Sequence, residues 1–421
     1  MEPIEFIDIL LNEWRDELAR TEKNVPRQVV FPVADRKIKV AVGMRRTGKT
    51  ACLFQQMRTL LAKGISPTRI FYINFEDDRL MPLTREKGAA WIDAFYTRYP
   101  ENHDHRCYLF LDEIQLVPDW AVIVRRMHDT KDAEIYLSGS SAKLLSKEIH
   151  TSLRGRSLST EIWPLSFSEF LNARDISVDT TLASKKAMDH LKKYFLEYME
   201  CGGFPEIVFF DTETRIKTLQ EYIDVVIYRD IVERFEIKNI ALLKYMIIFL
   251  LQNSAALFSV NKFYNDVKSQ GYQTSKDTLH DYLHFIEDAF LSFNVTLYDR
   301  SIRKTNTNPK KIYAIDPGIM NAVILRKQRD FGKLFENIIY LELRRKEYKV
   351  NYYLTKDRHE VDFLAQSLTG DQKLIQVCWN VDDPATRKRE ERALLAAEKE
   401  LGIEGELITL EKLLRKDFFH H

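Results

Sequence analysis

Apolar positions in the first third of the chain fall into short runs separated by longer stretches of helical period. Ile4, Phe6, Ile7, Leu10, Leu11 and Trp14 repeat near helical spacing, which predicts an amphipathic helix over residues 4 to 20. After a polar stretch with Pro26, strands are predicted at Ile38–Val42, Ile70–Phe75, Tyr108–Asp112, Glu134–Ser138 and Thr160–Trp163, with helical segments between them. That alternation implies an α/β class with a parallel sheet covered by helices. The pattern then turns helical from Ser166 to Phe235, broken at Gly202, Gly203 and Pro205, and reads as a helical lid behind the α/β core.

The rest of the chain changes character twice. Helices predicted at 241–253, 260–269 and 275–289 precede two apolar strands, Ser292–Tyr298 and Lys311–Ile315. The strands flank a polar hairpin, Asp299–Lys310, with turn signals from Asn306 to Pro309. Three helices and a hairpin outline a winged helix. A small α/β unit follows: a helix at Leu334–Lys346, strands at Val350–Leu354, Glu360–Gln366 and Lys373–Val377, a helix at 385–401 and a strand at Glu406–Leu410. The expected domains are therefore 1–165, 166–238, 239–325 and 326–421.

Composition bounds the class without choosing a function. With 45% hydrophobic and 30% charged residues over 421 positions, the chain has ordinary globular composition and enough apolar material for more than one core. A net charge of +1 supplies no global field, so a nucleic-acid partner must be met by a local patch. Cys52, Cys107, Cys201 and Cys378 are scattered with no CxxC pair, which argues against a zinc site or a disulfide framework. Glu2, Glu5 and Asp8 do not suit a secretory signal. No run approaches the roughly 18–20 apolar residues of a membrane span. A reduced, cytoplasmic protein without a membrane partner is expected. His420 and His421 are assigned no role.

The candidate chemistry starts at Gly43-Met44-Arg45-Arg46-Thr47-Gly48-Lys49-Thr50, which fits G-x-x-x-x-G-K-[ST] in full between a predicted strand and a helix beginning at Ala51. Gly43 and Gly48 let the backbone bend around phosphates. The amides of Arg45, Arg46, Thr47 and Gly48 and the helix start at Lys49, Thr50 and Ala51 then face the anion. Lys49 is expected on the β- and γ-phosphates of ATP and the Thr50 hydroxyl on Mg²⁺. A second apolar strand ends in Asp112 and Glu113. Parallel strands open their carboxyl ends on one crevice, so Asp112 is expected in the Mg²⁺ shell and Glu113 as general base. Ser140, after the next strand, is the candidate γ-phosphate sensor; a helix-cap role is its alternative. Arg154 and Arg156 are candidate arginine fingers acting across a subunit interface of a homo-oligomer, with Arg229 and Arg234 weaker candidates.

These motifs resemble, in order and spacing, the bacterial and archaeal ATPases with an AAA+-type core and a C-terminal domain long called a domain of unknown function. The stretches that carry the likeness are GMRRTGKT, YINFEDDRL, FLDEIQLVPDW, YLSGSSAKLL, SLRGRSLSTEIWPLSFSEFL, GGFPE, YRDIVERFEIKN, KIYAIDPG and GKLFEN, with EVDF extending it to residue 363. The resemblance implies an ASCE-class P-loop core, a winged-helix segment, a terminal domain of the PD-(D/E)xK nuclease type, and a DNA-associated or regulatory role. On that pattern Glu336 fits the helix acid and Asp362 the strand acid, with Glu360 on the same strand face. The third element reads Gln376-Val377-Cys378, an amide where the pattern has an acid and a thiol where it has a lysine. Hydrolysis of nucleic acid is therefore not expected, and the site reads as vestigial.

The third helix of the winged segment is acidic, which opposes insertion into a polyanion. The hairpin instead carries Arg300, Arg303, Lys304, Lys310 and Lys311 against Asp299. The expectation is Mg²⁺-dependent ATP hydrolysis coupled to binding or remodelling DNA, as branched or structured duplex, in recombination or repair, through backbone and shape contacts. The alternatives are a nucleotide switch that binds a protein partner, and an ATP-regulated nuclease.

Overall fold

The first four predicted strands all join one parallel sheet: β1 (Ile38–Val42), β2 (Ile70–Asn74), β3 (Cys107–Asp112) and β4 (Ala133–Ser138), with β5 (Ser157–Glu161) at the edge. The order is β2-β3-β4-β1-β5, so β4 lies between the strand that feeds the glycine-rich loop and the strand that ends in acids. This is the P-loop NTPase arrangement. The computed structural model describes residues 3–21, 25–139, 152–176, 185–324, 330–381 and 383–415, and the chain divides into two units, Met1–Trp163 and Pro164–His421.

β1 and β3 are buried along their whole length, as strands covered on both faces must be, and their near-continuous apolar sequence follows from that. The one charge within β1, Lys39, is neutralised by Glu134 on β4 at 2.9 Å. Helices α1 (Pro3–Arg20), α2 (Lys49–Ala62), α3 (Arg85–Arg98) and α4 (Trp120–Thr130) also belong to the first unit. Phe6, Ile7, Leu10, Leu11 and Trp14 of the predicted α1 stripe are buried, and Phe6 meets Trp91 of α3 edge-on at 5.8 Å. The last strand differs from expectation, lying at Ser157–Glu161 instead of Thr160–Trp163. Among the described residues it pairs only with β1, as an edge strand, and edge strands tolerate the polar Ser157, Ser159 and Glu161. Ile162 and Trp163 are buried beyond its end.

The second unit opens with helices, then holds a three-stranded antiparallel sheet, β6 (Ala256–Phe258), β7 (Ser292–Val295) and β8 (Lys310–Ala314), in the order β6-β8-β7. Helices Ile240–Gln252, Val260–Ser269 and Lys276–Asp288 precede β7. The polar connection between β7 and β8 is not a tight hairpin. Ser301 caps a short helix, Ile302–Thr307, inside it. Residues just past β7 leave their partner strand: the Tyr352 amide donates to the Thr296 carbonyl at 3.1 Å and the Tyr298 amide to the Tyr352 carbonyl at 2.8 Å. Tyr352 lies on β9 (Lys349–Leu354), which with β10 (Glu360–Gln366), β11 (Gln372–Cys378) and β12 (Gly405–Thr409) forms a sheet ordered β12-β11-β10-β9. β12 runs parallel to β11, and the helix Pro384–Leu401 makes the crossover.

Two motifs far apart in sequence form one joint in this unit. The buried Asp316 carboxylate accepts from the Gly203 amide at 2.7 Å and the Gly318 amide at 2.8 Å. Gly202 has φ +80°, and a Cβ there would lie 2.0 Å from the Asp316 carboxylate. Gly202→Ala is expected to destabilise the chain by about 2–3 kcal/mol, combining left-handed strain with a collision against a buried acid. Gly370→Ala, at φ +96° with open space around it, is expected to cost only about 1 kcal/mol. Thermal unfolding of the two variants side by side checks the difference; equal losses would remove the Asp316 joint as its cause.

Candidate functional site

The loop after β1 is shaped for an anion. Gly43 has φ +154°, and a Cβ there would lie 2.3 Å from the Ile162 carbonyl, so no other residue fits. Gly48 caps α2 in the left-handed region with φ +94°, and Arg46 is also left-handed at φ +65°. The Thr47 hydroxyl donates to the Met44 carbonyl at 2.9 Å. Lys49 Nζ donates to the Gly43 and Met44 carbonyls, each at 3.1 Å, folding the side chain back over the loop it serves. Ala51 is in the first turn of α2, and Arg45 reaches Glu76 at 3.4 Å.

Register brings the acids to the same place. Asn74 of β2 is level with Asp112 of β3, and Leu111 with Leu137 of β4. Asp112 Oδ2 accepts from the Thr50 hydroxyl at 2.7 Å and from the Tyr72 hydroxyl at 3.1 Å, and Oδ1 accepts from Ser138. Burial pushes the Asp112 carboxyl above the usual carboxylate range, while the Ser138, Thr50 and Tyr72 hydroxyls pull the other way. A buried carboxylate touching a hydroxyl is a hard-oxygen pair of the kind Mg²⁺ takes, so Thr50 and Asp112 fit the metal the loop implies. Glu113 follows in a left-handed conformation, φ +51°, and Gln115 donates to its carboxylate. An ordinary residue held there is locally strained, a feature that clusters at functional sites.

The finger candidates lie elsewhere. β5 starts beside the start of β1, and the Ile38 amide donates to the Arg156 carbonyl at 2.8 Å. Arg154 and Arg156 thus sit at the amino edge of the sheet, a five-residue strand (about 16 Å) from the phosphate loop. Either side chain is too short to span that distance to this chain's own phosphate loop. Arg156 is also paired with Asp129 at 3.3 Å, whereas Arg154 is exposed. Arg229 is exposed and Arg234 stacks over Phe235 at 4.8 Å. Ser140 lies outside the described residues.

In the second unit the wing cations separate. Arg300, Arg303 and Lys304 are exposed, Lys310 is half-buried, and Lys311 is buried. Lys311 is a correction to the surface patch expected from sequence. It lies on β8 with its ammonium 2.8 Å from Glu336, 2.6 Å from Glu360 and 2.8 Å from Asp362. Burial alone would lower its pKa, but the charges of Asp362, Glu336 and Glu360 outweigh it and hold the value well above the ordinary one. Burial, then the Asp362 charge, raises Glu336 to about 7. Asp362 Oδ2 accepts from the Val377 amide at 2.9 Å. Gln376 accepts from the Asp362 amide at 3.2 Å and donates to Glu390 at 2.6 Å. These groups, with buried Cys378, line a pocket of about 960 Å³.

The chain is similar in sequence to known proteins. Residues 35–171 match the AAA domain family, and residues 192–330 match a domain of unknown function, DUF8612. Over 406 residues the chain is 36% identical to the uncharacterized protein MJ1544 of Methanocaldococcus jannaschii, covering 95% of this chain and 87% of that one. The chain belongs to the MJ1544 family. An uncharacterized protein of Haemophilus influenzae is 32% identical over 350 residues, covering 82% and 83% of the two chains. The Walker-type ATPase paby2304 of Pyrococcus abyssi is similar over 71% of this chain and 97% of that one, at 13% identity and a TM-score of 0.42. The first unit of this MJ1544-family member is an AAA+-type P-loop nucleotide-binding unit, on the matched domain and the geometry above. No helix among the described residues is long and apolar enough to cross a membrane.

Three residues of the site were not singled out from sequence. Ser138 and Tyr72 touch Asp112 only because β2, β3 and β4 are neighbours in register; the strand ends carried that signal, the pairing did not. Arg27 precedes β1 and has no motif. Its buried guanidinium donates to the Thr47 carbonyl at 2.6 Å and the Trp163 carbonyl at 2.7 Å, bracing the phosphate loop against the end of the sheet. Arg27→Met leaves two buried carbonyls without these donors and slackens the loop. Nucleotide affinity, followed by titration with a fluorescent ATP analogue, is expected to fall about tenfold, or about 1.4 kcal/mol. Affinity unchanged within twofold would mean the loop holds its shape without the brace.

Proposed function

We propose that this protein is a Mg²⁺-dependent ATPase that couples hydrolysis to binding or remodelling DNA. The observation that carries the first half is the 2.7 Å contact of Thr50 on Asp112 beneath a complete phosphate loop, with Glu113 next in chain. Main-chain amides of the loop bind the phosphates, and Lys49 exchanges its bonds to Gly43 and Met44 for the β- and γ-phosphates. Bound Mg²⁺, held by Thr50 and Asp112, would supply charge neutralisation at those phosphates. Glu113, steadied by Gln115, orients the attacking water and takes its proton. Arg154 is the better finger in trans, because Arg156 is already paired with Asp129. ATP would then bind between subunits of a homo-oligomer.

The DNA half rests on Arg300, Arg303 and Lys304, which stand exposed on one short stretch around a capped helical turn. Such a patch suits phosphate contacts and shape recognition of branched or structured duplex, as in recombination or repair, and not base reading. The helix Lys276–Asp288, with Asp277, Asp281 and Glu287, would repel a phosphate backbone and favours a second reading: a nucleotide switch whose winged segment binds a protein.

Lys49→Ala is expected to lower ATP affinity by more than about tenfold. Glu113→Gln should keep affinity within about threefold and cut turnover by at least about 100-fold; single-turnover hydrolysis separates the two, and full turnover in Glu113→Gln would sink the assignment of the base. Replacing Arg300, Arg303 and Lys304 together by Glu is expected to weaken DNA binding at low salt by at least about tenfold and to flatten its salt dependence by roughly two to three charges. Fluorescence anisotropy with duplex, single-stranded and branched DNA tests this. Binding that ignores the triple substitution would reject the wing, and no binding to any of them would leave the protein-switch reading.

A further inference from the structure

The acids that the nuclease resemblance picks out, Glu336, Glu360 and Asp362, line one pocket, yet its residues do not fit a metal. An ammonium has three N–H donors and no acceptor. Those of Lys311 are matched by three oxygens on three different carboxylates, at 2.8 Å to Glu336, 2.6 Å to Glu360 and 2.8 Å to Asp362. The cation therefore sits at the centre of the acids, where a divalent ion would sit. It does not stand to one side with a free N–H for water or phosphate, as a lysine that assists hydrolysis must. Metal–oxygen distances of about 2.0–2.1 Å for Mg²⁺ would require the carboxylates to close in on a point the ammonium already holds, against its like charge. Among the described residues no group of three or more His, Cys, Asp or Glu side chains is arranged to hold a metal ion.

The surroundings fit the same reading. Lys311 comes from β8, not from the strand whose Cys378 stands at the nuclease pattern's lysine position. Gln376, at the acid's position, is committed to the Asp362 amide and Glu390. The second Asp362 oxygen is taken by the Val377 amide. The Tyr313 hydroxyl also donates to Glu336, at 2.7 Å. The side chain ties β8, β10 and the helix Phe331–Arg345 through one buried charge.

We propose that the Lys311 ammonium is the resident cation of this pocket in place of a divalent metal, and that Glu336, Glu360 and Asp362 form a latent metal site which opens only when Lys311 is removed. This does not depend on ATP turnover or on DNA binding. The test is Mn²⁺ binding to the full chain without nucleotide, counted by electron paramagnetic resonance of free Mn²⁺, in wild type, Asp362→Asn, Lys311→Met and Lys311→Met/Asp362→Asn. Any Mn²⁺ at the phosphate loop is common to all four and cancels. Wild type and Asp362→Asn are expected to bind equally. Lys311→Met is expected to gain one Mn²⁺ per chain, lost again in the double variant. One more bound Mn²⁺ in wild type than in Asp362→Asn would overturn the proposal, as would a folded Lys311→Met that gains none. If Lys311→Met does not fold, having lost the counter-charge of three carboxylates, the comparison of wild type with Asp362→Asn decides by itself.

Discussion

Parallel pairing of β1, β4 and β3 is the constraint on which the nucleotide site depends. In a parallel ladder every strand ends on the same edge, so the glycine loop after Val42, Ser138, Asp112 and Glu113 arrive together without any contact in sequence. One shift of a strand by a single residue would turn its side chains to the opposite face and take Asp112 away from Thr50. Both faces of β1 and β3 are buried, so position-specific polar contacts mark the register: Lys39 on Glu134, and Thr50, Tyr72 and Ser138 on Asp112. The same geometry sets Arg154 and Arg156 at the opposite edge of the sheet, away from the phosphate loop.

Buried charge marks the places where remote segments are joined. Arg27 ties a segment before the sheet to the phosphate loop and to Trp163; Asp316 joins the Gly202–Gly203 turn to the Pro317 helix start; Lys311 gathers three carboxylates. A buried charge is tolerated only when every polar atom around it is satisfied, and removing one partner strands the others. These joints are therefore stiff and specific. They recur at the phosphate loop in the first unit, and where β8, β10 and the helix Phe331–Arg345 meet in the second.

The predicted elements that matched were those with strong periodicity. α1, β1, β3 and the helices of the second unit declare themselves by burying one stripe or both faces. β5 was displaced because an edge strand shares only one side with the sheet, and its polar residues give no apolar run. The stretch from Asp299 to Lys310 looked like a hairpin turn because Asn306 to Pro309 carry turn chemistry; Ser301 instead caps a helical turn, and Thr296 to Tyr298 are drawn off to β9. Lys311 looked like a surface cation because it follows four others, Arg300, Arg303, Lys304 and Lys310, and sequence carries no sign of depth.

By itself the sequence determined the phosphate loop, the α/β class and the acids that follow an apolar strand, because each rests on local rules: a glycine where the backbone must bend, a run of β-branched and aromatic residues where both faces are buried, a hydroxyl next to a lysine at a helix start. Only the tertiary structure decided which groups surround Asp112, that Arg27 braces the loop, and that Lys311 faces inward to three carboxylates instead of outward to solvent. Those outcomes depend on which strands become neighbours and on the cost of leaving a charge unpaired away from water, and neither is a property of any short stretch of chain.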